Sequence, residues 1–372
     1  MFRGKAYDIS MLKKGIRTEQ PAKAGYTMYE VSDMDELRVG VVGCGAIGKD
    51  HIRRINQVIQ GACVTAVADV NVEGGMKTAA QWNAEFYSNG EEMIRSSQVD
   101  AVLIATLDQF HEQYAVAAIQ AGKPVFCEKP LAPDAASCKR IMDAEIAGGR
   151  RLLQVGFMRR YDAGYRALKE AVASRQFGEP LMLHCAHRAD SIAPNYVTSM
   201  LITNCAVHEI DVLRWLTGED YRRCQVIQPK PTKNAWETLN DPIILLLETE
   251  SGIRIDVEVF VNCRYGYDIR CEVVCEEGTL SLPTPTGILT AHAGQRAVPI
   301  SADWQARFID AYDLELQEWA DNARQGKSGG PTAWDGYACA VTATAAVKAL
   351  ESGWMEDISL GDCPEFYKDL SL

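Results

Sequence analysis

The chain has 372 residues, more than one hydrophobic core ordinarily serves, so two domains of ordinary size are expected. A formal net charge of −12 argues against nucleic acid, which needs a concentrated basic face, and no apolar run approaches the roughly 18 residues of a membrane span. The 12 cysteines are scattered through apparent core segments with no CxxC among them, so they read as reduced thiols, and no metal site is expected.

Residues 1–36 lack periodicity, being broken by Gly4, Gly15, Pro21 and Gly25, and contain no apolar stretch resembling a signal-peptide core. They form an N-terminal extension, a lead or an arm on a neighbouring subunit, and a cytoplasmic location is the expectation. The run Leu37 to Val42 then reads as a buried strand, followed at once by Gly43-Cys44-Gly45-Ala46-Ile47-Gly48. This is GxGxxG between a strand and an apolar-faced helix carrying Ile47, Ile52, Ile55 and Ile59. The first glycine permits the tight turn, the second lets backbone approach a pyrophosphate, and the third allows close packing of helix on strand.

A second strand from Cys63 ends at Asp69, about 20 residues beyond the loop, where a carboxylate accepts hydrogen bonds from the adenosine ribose. No arginine immediately follows Asp69 to welcome a 2′-phosphate, so NAD is favoured over NADP. Strand and helix continue to alternate through Asp100 to Thr106, a helix with Tyr114, Ala118 and Ile119, and the short strand Val125 to Glu128, which delivers Lys129 and Pro130. In an open parallel sheet ligands bind beyond the carboxyl ends of the strands. The expected NAD site therefore comprises Gly43, Gly45, Ala46, Ile47, Gly48, Asp69, Thr106, Glu128 and Lys129.

After about residue 155 the pattern changes. Leu181, Leu183 and Cys185 alternate with Met182, His184 and Ala186, and Ile253, Ile255, Val257 and Val259 alternate more cleanly with Arg254, Asp256, Glu258 and Phe260, which marks half-buried antiparallel strands. The expected fold is α/β: a dinucleotide-binding Rossmann domain over 37–155, then an α/β domain with a large, mostly antiparallel open sheet over 156–330 for substrate binding and oligomerisation. A C-terminal helix and tail over 331–372 pack against both. Within the second domain Val207, Ile210, Leu213 and Leu216 recur at helical spacing, and Asn204 and His208 lie one turn apart, as a base and its hydrogen-bonding partner would.

Six segments together resemble the glucose-fructose oxidoreductase/inositol dehydrogenase family, and within it the inositol dehydrogenases. They are Gly43 to Gly48, Glu128-Lys129-Pro130, Met158-Arg159-Arg160-Tyr161-Asp162, His208-Glu209-Ile210-Asp211, Tyr265-Gly266-Tyr267-Asp268, and Gly330 to Tyr337. The resemblance covers about residues 37–368. It implies a homotetramer associated through the open sheets and oxidation of a ring hydroxyl of a polyol or glycoside by NAD. His208 is the implied general base, with Lys129 and Asn204 beside it as catalytic residues. Arg159, His187, Asn204 and Tyr267 are the implied substrate contacts.

The resemblance also marks departures. The inositol enzymes carry aspartate where this chain has Asn204, asparagine where it has Ala189 and aspartate where it has Ser199. An amide at 204 cannot hold negative charge or raise the pKa of His208, and Ala189 leaves space beside the ring. Two alternatives follow: a glycoside 3-dehydrogenase with tightly held NAD, and an NAD-binding protein that has lost catalysis.

Overall fold

The computed structural model describes residues 36–283 and 287–368. The reading of the N-terminal extension up to residue 35 falls outside them. Strand β1 (Leu37–Val42) is buried at every position but Arg38, as a strand covered on both faces must be. It is followed by α1 (Ala46–Gln57), β2 (Ala62–Ala68), α2 (Val72–Trp82), β3 (Glu85–Tyr87), α3 (Gly90–Arg95), β4 (Ala101–Ile104), α4 (His111–Gln120), β5 (Val125–Glu128), α5 (Ala135–Gly148) and β6 (Leu153–Gly156). The strands pair in parallel in the order β3-β2-β1-β4-β5-β6. The order reverses between β1 and β4, which opens a crevice at the carboxyl ends of those two strands.

The second half runs through a 3-10 turn at Met158–Tyr161, α6 (Ala163–Ala173), β7 (Pro180–Arg188) and a π-helical turn at Leu201–Ala206 that continues into α7 (Val207–Thr217). Strands β8 (Tyr221–Ile227), β9 (Ile243–Thr249), β10 (Arg254–Phe260), β11 (Asp268–Cys275) and β12 (Thr279–Ser281) follow, then the hairpin of β13 (Thr290–His292) and β14 (Gln295–Ala297). Helices α8 (Trp304–Arg307), α9 (Ile309–Ala323) and α10 (Ala333–Ser352), the two-residue β15 (Glu356–Asp357) and α11 (Glu365–Lys368) complete the chain.

The second sheet has the order β12-β11-β7-β10-β9-β8-β15, and only its central pair, β7 with β10, is parallel. The alternation expected of β10 is present: Ile255, Val257 and Val259 are buried while Asp256 and Glu258 are half-buried on the other face. Strand β7 departs from its expected pattern, since Leu181 is exposed and alternation begins only at Leu183. A register shift between Val274 and Cys275 faces that end of the strand, and such a shift breaks the in-out order.

The two sheets are tied together by helices rather than separated by a linker. Leu316, Trp319 and Ala320 of α9 share one apolar cluster with Val39, Val41 and Val67 of the first sheet, so α9 closes over it. Helix α10 begins with a capping box in which Thr332 accepts from the Asp335 amide and Asp335 accepts from the Thr332 amide. The same Asp335 pairs with Arg160 at 3.0 Å and with Arg214 at 2.8 Å, and Arg160 also pairs with Asp211 at 2.6 Å. Replacing Arg160 by Met leaves Asp211 buried and unanswered, at an expected cost of about 3–5 kcal/mol. Urea unfolding measures it, and wild-type stability in that variant would show that the network does not hold α7.

Candidate active site

The glycine loop is shaped by what a side chain would strike. Gly43 has φ +98°, and a Cβ there would lie 2.5 Å from the Ala105 carbonyl oxygen; a Cβ on Gly48 would lie 2.0 Å from that of Gly43. Gly45 differs, because a Cβ built on it meets nothing within 4 Å and so projects into open space. No side chain caps α1, which begins at Ala46, so its first backbone N–H groups are free to meet an anion. Asp69, just past β2, accepts from the Cys44 amide at 2.6 Å and from the Asn71 amide at 2.7 Å, which fixes its carboxylate beside the loop. Open backbone at Gly45, an uncapped helix and an anchored acid form a cradle that fits NAD.

Beyond the carboxyl ends of the strands lies a cavity of about 540 Å³ whose wall includes Ile47, Thr106, Glu128, Lys129, His187, Asn204, His208 and Tyr267. Residues expected from both halves of the sequence therefore meet in one space. The Lys129 Nζ donates to the backbone carbonyl of Asn204 at 3.1 Å. His208 is buried, and its Nδ1 has no hydrogen-bond partner. Burial, then the positive charges of Lys129 and Arg159 and the neighbouring His187, push its pKa well below the ordinary histidine value. The ring is neutral at neutral pH and can accept a proton.

His187 on β7 is 5.7 Å from the Tyr267 ring, centroid to centroid and edge-on, and 6.5 Å from His208. Its Nδ1 lies 3.0 Å from Glu209 Oε2. Burial pushes the Tyr267 hydroxyl up to about 12, so it stays protonated and can donate. A backbone bond from the Tyr267 amide to the Ser301 carbonyl, 2.7 Å, ties this wall to the segment leading into α8.

Two expected placements are corrected. Arg159 is only 1 % exposed, pairs with Glu209 and approaches His187 Nδ1 at 3.3 Å. It lies behind the cavity wall, where it holds the residues that face the cavity, and is not itself among the lining residues. The second correction concerns Asn204 and His208, which no hydrogen bond joins. The side-chain oxygen of Asn204 accepts from Thr203 Oγ1 at 3.2 Å instead. Asn204 sits in the π-helical turn, whose larger number of residues per turn, closed by the bond from the Val207 amide to the Ile202 carbonyl, breaks the four-residue stacking that an α-helix would give.

The sequence reading passed over several wall residues. Tyr312 and Trp304, from α9 and α8, pack edge to face at 5.7 Å and both line the cavity, as does half-buried Asp190. Their separation from the motifs along the chain left no local signal. Ser199 lines a separate cavity of about 300 Å³ with Pro130 and Val207, so its departure from the inositol enzymes lies outside the site. Tyr161, Trp334 and Asp335 also face away from the site: Tyr161 donates to Glu318 at 3.0 Å, and all three border a third cavity behind α7.

Comparison with known proteins gives the family of both halves of the chain. Residues 37–157 match the model of an oxidoreductase family with an NAD-binding Rossmann fold, and residues 169–356 match the C-terminal alpha/beta domain of that family. Over 334 residues the chain is 53% identical to an inositol 2-dehydrogenase of Burkholderia cenocepacia, covering 89% of this chain and 99% of the relative. It is also 53% identical to an inositol 2-dehydrogenase of Pseudomonas fluorescens over 333 residues, again 89% and 99% of the two chains. The crystal structure of myo-inositol dehydrogenase from Lactobacillus casei with NAD(H) and myo-inositol superposes with a TM-score of 0.87 at 36% identity, covering 89% of this chain and 99% of that one.

The open space at Gly45 makes a direct test of the cradle. A Gly45→Val side chain meets no protein atom at its Cβ, so thermal stability should stay near wild type, while NAD affinity should fall by about 10-fold or more as the branched group occupies the anion's place. Calorimetric titration of NAD reads this, and undiminished binding would place the pyrophosphate elsewhere.

Proposed function

The chain belongs to the oxidoreductase family with an NAD-binding Rossmann fold, and from that premise we propose that it oxidises a secondary ring hydroxyl of a cyclitol to a ketone, with His208 as general base and Lys129 assisting. One observation carries this reading. A buried, neutral imidazole and a lysine amino group share a cavity at the crevice where the first sheet reverses its order. NAD, when bound, supplies the hydride acceptor.

The residues divide the remaining work. As the carbinol carbon loses hydride, its hydroxyl proton must leave, and His208 takes it on the ring nitrogen that is not sealed in protein. The Lys129 ammonium, held by the Asn204 carbonyl, stabilises negative charge developing on the oxygen. Tyr267 and His187 orient ring hydroxyls, and the Asn204 side-chain amide donates or accepts according to the hydroxyl it meets. The inositol 2-dehydrogenase relatives support a cyclitol as the substrate class.

Half-buried Ala189 on the wall favours a second reading, a glucoside oxidised at a secondary hydroxyl, because a methyl group there leaves space for a ring substituent. We further read the outer face of the second sheet as the surface through which copies associate as a homotetramer. It mixes exposed Leu181 and Met182 with the paired His184 and Asp256, apolar area interleaved with charges able to find partners.

A panel of inositol stereoisomers, glucose and glucosides, followed by NADH absorbance, tests the substrate class, and the cyclitols should lead in kcat/KM. In the same assay His208→Ala should lower kcat by about 100-fold or more with NAD binding nearly intact. Loss of NAD affinity alone would remove His208 from the chemistry.

The pH profile follows from the site's charges. The reactive form of His208 is the neutral one, present above its depressed pKa, so kcat/KM should hold down to a pH below the ordinary histidine value and fall only there. Asn204→Asp adds a carboxylate that favours the charged ring, so the acid limb should move to higher pH. An unmoved limb would mean that position 204 does not act on His208.

A further inference from the structure

One polar pair between α1 and the first sheet lies outside the chemistry above yet touches its lysine. The buried face of α1 carries Gly48, His51, Ile52 and Ile55, the spacing of an apolar stripe, but with an imidazole in an aliphatic place. His51 is 0% exposed, and its Nε2 lies 2.7 Å from Glu128 Oε1. Its ring is wedged edge-on between Phe126, at 5.6 Å, and the cavity-lining Tyr312, at 5.8 Å.

Glu128 has a second task. Its other oxygen, Oε2, accepts from the backbone amide of Lys129 at 3.0 Å, and Lys129 in turn donates through Nζ to Asn204. A continuous set of bonds therefore runs from the helix that starts at the glycine loop, through His51 and Glu128, to Lys129 and the π-helical turn before His208. A carboxylate can do this because it accepts with both oxygens at once. Without the imidazole, a carboxylate only 6% exposed would lose one of its two partners and would have to turn away from the lysine amide or draw in water.

We propose that His51 and Glu128 are positioning residues that lock the backbone at Lys129 to the cofactor helix and so set where the lysine amino group stands in the cavity. The proposal rests on the reading of Lys129 as the assisting lysine for its catalytic consequence. The geometric claim stands apart from that reading and is tested separately.

The test compares His51→Leu with His51→Gln, whose amide nitrogen can still donate to Glu128. In the protein without NAD, the labelling rate of Lys129 by an amine reagent, mapped by mass spectrometry, should rise severalfold in His51→Leu, with Lys49 as an internal control that does not change. In turnover with NAD and a cyclitol, kcat should fall by about 10- to 100-fold, as expected of a group misplaced by about an ångström. The fall in kcat should exceed any change in KM or in the NAD dissociation constant by about 10-fold or more, because the lysine's charge is called on chiefly as the reacting oxygen becomes negative. His51→Gln should recover most of the loss in both measurements.

If His51→Leu does not fold, Glu128→Met takes its place, because a thioether of similar length offers neither of the two carboxylate oxygens that His51 and the Lys129 amide engage. Unchanged Lys129 labelling would overturn the proposal. So would a fall in kcat that merely tracks lost NAD binding or lost thermal stability, or equal defects in His51→Leu and His51→Gln. A wild-type protein that reduces no NAD with any polyol would instead refute the assigned reaction, and the labelling comparison would still decide the positioning claim.

Discussion

Helix α7 is buried along nearly its whole length, yet His208, Glu209, Asp211 and Arg214 all lie on it. A charge taken out of water costs several kcal/mol unless it is answered, so such a helix stands only if partners reach it. The tight turn after β6 brings them: Arg159 meets Glu209, and Arg160 meets Asp211. Asp335, at the start of α10, answers Arg214 and shares Arg160, so the helix is clamped from two directions. The same arrangement bears on the chemistry, because burial and then the charges of Lys129 and Arg159 keep His208 neutral. Arg159 thus serves both the stability of the helix and, beside burial and Lys129, the availability of the base.

This accounts for how the sequence could be read and where it could not. Long apolar runs such as Val39 to Val42 and Ala101 to Ile104 announce parallel strands because both their faces are covered. The short β3, with its exposed first residue, gives no such signal. The glycine loop is legible because at Gly43 and Gly48 the constraint lies in the backbone and only glycine satisfies it. Asp69 follows from spacing alone.

The ion network is of another kind. Its partners lie 51 residues apart for Arg160 and Asp211 and 121 for Arg214 and Asp335, and no local pattern joins them. The family motifs single out residues without telling which of them face the cavity. An arginine beside a substrate and an arginine behind the wall look alike in sequence, and burial separates them. The pairing of Asn204 with His208 failed for a related reason: four-residue spacing implies contact only in an α-helix, and here the chain is π-helical up to Ala206.

That turn also bears on why position 204 can vary. Lys129 is held by the backbone carbonyl of Asn204, a contact that any residue at 204 supplies, while the side chain points to Thr203. Exchanging a carboxylate for an amide there alters the charge of the cavity without releasing the lysine from its anchor. The π-helical turn makes this separation possible, since it leaves main-chain groups beside the cavity that α-helical bonding would more fully engage. Lysine placement is thus a property of the backbone, whereas the side chain at 204 only adds or withholds one charge beside those of Lys129, Arg159 and His187 around His208. A substitution at 204 can therefore change the second while the first stays fixed.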